Sequence, residues 1–293
     1  MDDDQFLRLI ADPSARLLSY RDVVPAYYDR VTPEYRAQWG DSFHLPLQTD
    51  LQPPEQAILG AEQLIFLQGN LGPWMHILDV GCGVGGPALN LAEMSGARIT
   101  GVNLVERQVQ IARERAAARG LSDRVSFEVT DAMALPFPDA FFEVVVVFES
   151  GCYMPDKARF YRECARVLRP EGRFLGIDWM AREGLSREDR EAYIEPICRI
   201  HGIGDLIDLG QLRRHLEEAG LEVERCDDVT AWTGLLHAPD PSALEQARAR
   251  AFGTSPVDGL LEPPAWVLLG GVALRMAARA GMFIEGLWVA SKR

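Results

Sequence analysis

Apolar positions along the chain follow two rhythms. Residues 54–69 (PEQAILGAEQLIFLQG) set Ile58, Ala61, Leu64, Ile65 and Gln68 at helical spacing, with Gly69 near the stop. Residues 1–70 as a whole read as helical and aromatic. From residue 76 the rhythm changes. Short apolar runs at 76–80 (HILDV), 98–102 (RITGV), 125–129 (VSFEV), 143–148 (EVVVVF) and 173–178 (RFLGID) predict strands. The segments 86–95, 105–119 and 156–168 predict helices. This alternation predicts a parallel sheet covered on both faces. After residue 180 it lapses: 186–219 reads as helices stopped by Gly220, 221–229 alternates like a strand, 231–280 is mostly helical, and 282–290 (MFIEGLWVA) returns to strand. Stretches 180–205 and 231–280 therefore read as insertions over the sheet, where caps form or close pockets.

Composition narrows the function classes. Of 293 residues, 47% are apolar and 25% charged, which excludes a disordered chain and suffices for a core without staples. Lysine plus arginine number 30 and aspartate plus glutamate 43, a net charge of −13, which argues against nucleic-acid binding. No apolar run reaches the roughly 18 residues of a membrane span. The nearest, Ala265 to Leu274, is interrupted by Gly270 and Gly271. The acidic start Met1-Asp2-Asp3-Asp4 has the wrong sign for a leader. Five cysteines without a C-x-x-C pair read as reduced thiols, so a cytoplasmic location is expected. No cluster has metal-ligand spacing, so no metal is expected unless a diphosphate substrate brings Mg²⁺. Homo-oligomerisation is left open.

The chemistry-bearing segment is Asp79-Val80-Gly81-Cys82-Gly83-Val84-Gly85-Gly86, between a strand and a helix. Glycines 81, 83 and 86 fit G-x-G-x-x-G, which allows a tight turn and close approach of backbone to a ligand. Alone, the pattern also suits a nicotinamide or flavin oxidoreductase, or a module that binds a nucleotide without turnover. Three further features shift the balance, and the first weighs against a pyrophosphate ligand. Asp79 precedes the first glycine by two residues, where a carboxylate meets positive charge. Asn103 ends the next strand, in reach of ribose hydroxyls. Asp131-Ala132 ends the third strand, where a carboxylate accepts from an adenine amino group.

With ILDVGCGVGG, GVNL, DAMALPFPDAFFEVV and the RVLRPEGRF segment, residues 76–180 resemble the class I S-adenosylmethionine-dependent methyltransferases. The resemblance implies a doubly wound, Rossmann-like α/β sheet of seven strands, six parallel and the last antiparallel beside the fifth. It also implies a helical cap over residues 1–70 and a catalytic domain over 71–293. The cofactor would be S-adenosyl-L-methionine, contacted near Asp79, Gly81, Gly83, Asn103, Leu104, Gln108, Asp131, Ala132 and Phe148. Gln108 has a solvent-exposed helix residue as its alternative, and Cys82 reads as a packing residue. A narrower resemblance links residues 27–44 (YYDRVTPEYRAQWGDSFH), DVGCGVGGPA, Asn103 and the loop from Phe148 to Lys157 to sterol C-methyltransferases, the loop also to tocopherol methyltransferases. Tyr153 departs from that pattern, which usually carries histidine there.

The residues suggest the acceptor chemistry independently. Methylation of an alkene leaves a carbocation, which aromatic faces stabilise by about 0.5–2 kcal/mol each. Tyr27, Tyr28, Tyr35, Trp39 and Phe43 supply such faces, and Trp179 lies at the fifth strand's end. Glu149, just after the fourth strand, is the candidate base. Tyr153, Asp178 (expected to pair with Tyr153) and His44 are the other candidate catalytic groups. Pro25 and Pro33 predict that the aromatic helix is broken into a shaped lid. His201 and His215 read as surface or satisfied packing residues. The expected acceptor is a small apolar metabolite, with C-methylation of an isoprenoid or sterol-like alkene favoured. O- or N-methylation of an aromatic or alkaloid-like product is the competing outcome.

Overall fold

The computed structural model describes residues 1–47, 54–236 and 263–293. Its strands are β1 (His76–Val80), β2 (Arg98–Asn103), β3 (Val125–Val129), β4 (Phe142–Phe148), β5 (Leu168–Ala181), β6 (Leu221–Asp228) and β7 (Phe283–Lys292). They pair in the order β3-β2-β1-β4-β5-β7-β6. The pairs among β1 to β5 are parallel, and β7 runs antiparallel between β5 and β6. Six strands therefore share one direction and the last opposes them. Strand β5 starts well before the RFLGID run, and its register against β4 shifts between Phe142 and Val144.

The sheet is covered on both faces because its central strands are apolar on both sides. One face packs against α4 (Pro54–Gly69), α5 (Gly86–Ser95) and α6 (Glu106–Ala118) through residues such as Ile65, Leu89 and Val109. The other packs against α7 (Lys157–Val167) and α10 (Leu209–Glu218) through Phe160, Tyr161 and Leu212. Helix starts carry side-chain caps. Asp156 accepts from Arg159 N at 2.9 Å, and Asp208 with Gln211 forms a reciprocal capping box.

Helices α1 (Asp3–Ala11), α2 (Pro13–Leu18) and α3 (Tyr20–Trp39) make the N-terminal layer. The acidic start is a helix cap: Asp2 accepts from Gln5 N at 2.7 Å, and Asp3 and Asp4 stand in the first turn, where the helix dipole favours them. The expected break at Pro25 and Pro33 does not occur, and α3 runs unbroken for 20 residues. Pro33 removes the donor that the Asp29 carbonyl would have used, and Arg107 of α6 donates to that carbonyl instead, at 3.3 Å. Burial of Val23, Val24, Tyr27 and Val31 holds the rest of the helix in place.

Beyond β5 come α8 (Arg187–Asp189), a π-helical turn over Arg190–Ile194 and α9 (Glu195–His201). Most of the expected insertion at 231–280 lies outside the described residues. Its last part, α11 (Pro263–Arg279), runs on through Gly270 and Gly271 and packs against α3 and α9. No described helix is long and apolar enough to cross a membrane.

Candidate active site

The sheet order reverses between β1 and β4, and open α/β sheets bind ligands outside the strand ends at such a switch point. A cavity of about 650 Å³ lies there, lined by Gly81, Gly83, Asn103, Leu104, Gln108, Asp131, Ala132 and Phe148. Gly81, Gly83 and Gly85 have φ of 80°, 53° and 81°. A Cβ at Gly81 would lie 2.2 Å from Ser150 Cβ, so the β1 and β4 loops touch only because that side chain is missing. A Cβ at Gly83 would meet only Phe43, at 3.8 Å, on the open side of the loop. A Cβ at Gly86 would lie 2.1 Å from the Asp41 carbonyl oxygen. The chain around Asp41 thus roofs the start of α5, where a dinucleotide-binding fold seats its pyrophosphate.

Hydrogen bonds shape the cavity wall. Asn103 Nδ2 donates to Gln108 Oε1 at 2.7 Å, and Gln108 Nε2 donates to Thr32 Oγ1 of α3 at 3.0 Å. Gln108 is 1% exposed, which removes the solvent-exposed alternative. Asp131 Oδ2 accepts from Tyr20 Oη at 2.5 Å and from Arg21 Nε at 2.7 Å, so α3 is latched to the end of β3. Asp79, expected among the cofactor contacts, is buried and does not line the cavity. Its Oδ2 has no partner, and burial, reinforced by Glu62 and opposed by His44, pushes its carboxyl up to about 7.

A second cavity of about 500 Å³ shares Tyr28, Phe43, Glu149 and Tyr153 with the first. Tyr35, Trp39, His44, Leu45, Trp179 and His201 complete much of its lining. Glu149 has φ of 49°, a left-handed conformation that is costly for a side-chain-bearing residue. Its carboxylate is gripped from both sides: Oε1 accepts from Leu45 N, and Oε2 accepts from Trp179 Nε1 at 2.6 Å. Burial still pushes it up to about 8, with Asp178 adding to the rise and His44 opposing it. Such a carboxyl is poised to exchange a proton near neutrality.

The other candidates take different places. Tyr28 Oη donates to Tyr153 Oη at 3.1 Å. Asp178 does not pair with Tyr153. It accepts from Cys152 N (2.9 Å) and Trp179 N (2.8 Å), outside both cavity linings, and burial pushes it up to about 6. His44 lies 3.1 Å from the Leu45 carbonyl through Nδ1 and 3.3 Å from Glu62 Oε1 through Nε2. Both partners are acceptors, an arrangement that favours the doubly protonated ring. Burial alone would lower its pKa, but Glu62 and Glu149 raise it. Tyr27 reaches His201, and His201 is 1% exposed, not a surface residue. Glu285 on β7 went unremarked in the sequence. It is wholly buried opposite Trp179, both its oxygens lack partners, and burial together with Glu149, Asp178 and Asp228 pushes its carboxyl far above the usual range. The signal was there, a lone acid inside an apolar strand.

Comparisons with known proteins agree with this geometry. A family profile described as a methyltransferase domain matches residues 78–176. Methyltransferase GfsG of Streptomyces halstedii is 35% identical over 210 residues, 71% of this chain and 75% of that protein. The chain belongs to the S-adenosylmethionine-dependent methyltransferases. Among its relatives, 27-O-demethylrifamycin SV methyltransferase of Amycolatopsis mediterranei is 41% identical over 159 residues, 54% of this chain and 58% of that one. Cycloartenol-C-24-methyltransferase 1 of Oryza sativa subsp. japonica is 33% identical over 211 residues, 71% of this chain and 61% of that one. The chain thus spans about six tenths of these last two. The solved [4+2]-cyclase SpnF aligns over 93% of this chain and 96% of its own, with 29% identity and a TM-score of 0.73. The methyltransferase's first cavity fits the cofactor. Its described lining holds no lysine or arginine to attract a pyrophosphate, and the open side of Gly83 admits a ligand.

Proposed function

We propose that this methyltransferase methylates a small, uncharged, largely apolar acceptor held in the second cavity, with Glu149 taking the proton the reaction releases. The observation that carries the reading is Glu149 itself: a buried carboxyl near pH-neutral poise, pinned on the wall common to both cavities. Bound in the first cavity, S-adenosylmethionine supplies an activated methyl group. Gly81, Gly83, Asn103, Asp131 and the Leu104 and Phe148 side chains would hold it, with the Gln108–Asn103 pair orienting the ribose end. Residues 1–70 act in this reading as the cap over that site. Helix α3 excludes water, a condition for attack by a weak nucleophile.

Carbon is the favoured target. Tyr28, Tyr35, Trp39, Phe43 and Trp179 turn aromatic surface toward the acceptor cavity, which suits a positive charge passing along an alkene. His44, with both nitrogens committed to acceptors, acts as a fixed cation rather than a base. Asp178 supports the Cys152 turn and positions Trp179. Attack by oxygen is a second reading, supported by the 41% identity to a relative whose name specifies an O-demethyl substrate. There the Tyr28–Tyr153 hydroxyl pair would receive the acceptor's hydroxyl. The test incubates the enzyme with S-adenosylmethionine and a panel of prenyl, sterol and phenolic compounds, and locates the new methyl group by NMR. Methylation on carbon is expected; methylation only on oxygen or nitrogen overturns the carbon reading.

A further inference from the structure

Two adjacent glycines stand inside α11, where each costs helix stability relative to alanine. The protein itself accounts for Gly270. A Cβ there would lie 2.6 Å from the His201 ring, so α11 and α9 approach as they do only because that side chain is missing. Gly271 has no such neighbour. Among the described residues nothing comes within 4 Å of the position its Cβ would take. Its backbone is helical and outside the left-handed region, so alanine could adopt it without strain. Packing and conformation both leave this glycine unexplained.

Helix phase shows where the space opens. Val267, Gly271 and Leu274 fall on one face of α11, and all three line the second cavity. Val267 and Leu274 are buried, and Gly271 is half-buried between them. The wall that α11 contributes is therefore apolar, with a notch where one side chain is absent. None of the three lines the first cavity, whereas Tyr28, Phe43, Glu149 and Tyr153 line both. The notch thus belongs to the part of the second cavity that the cofactor site does not share.

We propose that the notch at Gly271 receives the unreacting apolar tail of the methyl acceptor, and that the missing side chain sets how long a tail the site admits. The inference rests on the second cavity being the acceptor site. The reacting atom must lie beside the wall common to both cavities, so the rest of the acceptor extends toward walls of the second cavity alone. There α11 offers it only carbon: no charged or polar side chain of that helix enters the described lining. Each tail carbon buried there adds affinity, and a side chain at 271 would compete for the same volume. Retaining a helix-destabilising residue at such a point exchanges stability for function.

The test reads binding and stability, apart from turnover and from the role of Glu149. Geraniol and farnesol, which is one isoprene unit longer, are titrated into the S-adenosylhomocysteine complex of the wild type and of Gly271→Leu. The wild type should bind both. In the variant the farnesol-to-geraniol ratio of Kd values should rise about tenfold or more. An unchanged ratio, or a wild type that binds geraniol alone, overturns the proposal. Binding of neither alcohol to the wild type removes the acceptor reading of the cavity, and this proposal with it. Should Gly271→Leu fail to fold, Gly271→Ala replaces it, with the ratio expected to rise about threefold or more. A comparison without ligand checks the notch itself. Gly271→Ala should raise Tm by about 1–3 °C, and Gly270→Ala should lower it. A Tm that does not rise in Gly271→Ala would show that the protein fills the space, and overturns the proposal.

Discussion

Two glycines of one loop do different work. Gly81 is needed because Ser150 fills the space where its Cβ would be, and Gly83 because the ligand side of the loop is open. Gly81→Ala should therefore lower Tm sharply, with a backbone cost of about 1–2 kcal/mol before the clash with Ser150 is counted. Gly83→Ala should cost stability only that backbone term but weaken S-adenosylhomocysteine binding, measured by calorimetry, about tenfold or more. Equal losses of Tm in the two variants would contradict this division. At Glu149 the geometry predicts chemistry. Glu149→Gln keeps the shape of the side chain and removes the base. The rate of methyl transfer should fall by at least about 100-fold while cofactor affinity stays within a few-fold. The motif made the glycines visible in sequence, and the end of the fourth strand pointed to Glu149. The partners of Glu149, Leu45 and Trp179, are 104 and 30 residues away, and no local pattern joins them.

Among the elements, β5 and α3 decide how the site works. Strand β5 carries Trp179, whose indole N–H favours the ionised form of Glu149. Because Glu149 must be ionised to accept a proton, kcat/KM should rise with pH through about 8. Trp179→Phe removes the donor, so the rise should move to higher pH; an unmoved or lowered midpoint would separate Trp179 from Glu149. Helix α3 shows why propensity misled the sequence reading. Two prolines predict a break, yet Arg107 satisfies the carbonyl that Pro33 leaves free, Thr32 takes a bond from Gln108, and Tyr20 and Arg21 bind Asp131. These partners come from α6 and the end of β3, so packing outside the helix overrides the local cost. The strands were better determined. EVVVVF and HILDV are apolar on both faces, and only a sheet covered on both sides buries them.

At the scale of the molecule, the core holds carboxyls that resist ionisation. Asp79, Glu149 and Asp178 are pushed up to about 7, 8 and 6, and Glu285 higher still. In the unfolded chain all four ionise near pH 4. Between pH 4 and 8 the folded chain binds more protons, so these groups stabilise it at low pH and that contribution is lost as pH rises. His201 has the opposite sign, because its folded pKa lies below its unfolded one. Its contribution is complete above about pH 6.5 and fades as pH falls toward 3. From pH 6.5 to 8 the acids act, His44 with its raised pKa adds a contribution of the same sign, and Tm should decline. Glu285→Gln removes one buried acid without changing shape and should flatten that decline. A slope identical to wild type would show that Glu285 is already ionised in the folded chain over this range.

The order of strands and helices, the glycine loop and the candidate base were all determined by the sequence, because each is a local pattern of polarity or conformational freedom. The antiparallel entry of β7 followed from family resemblance rather than from such a pattern. Only the tertiary structure decided which carboxylates meet. Asp178 turned to the Cys152 backbone instead of Tyr153, Asp79 was buried away from the cavity lining, and His44 came to lie between two acceptors. It also brought His201 and Gly270 together from separate helices. Hydrogen bonds between distant segments and the low dielectric of a shared interior set the charge state of each group. Neither exists until the chain is packed.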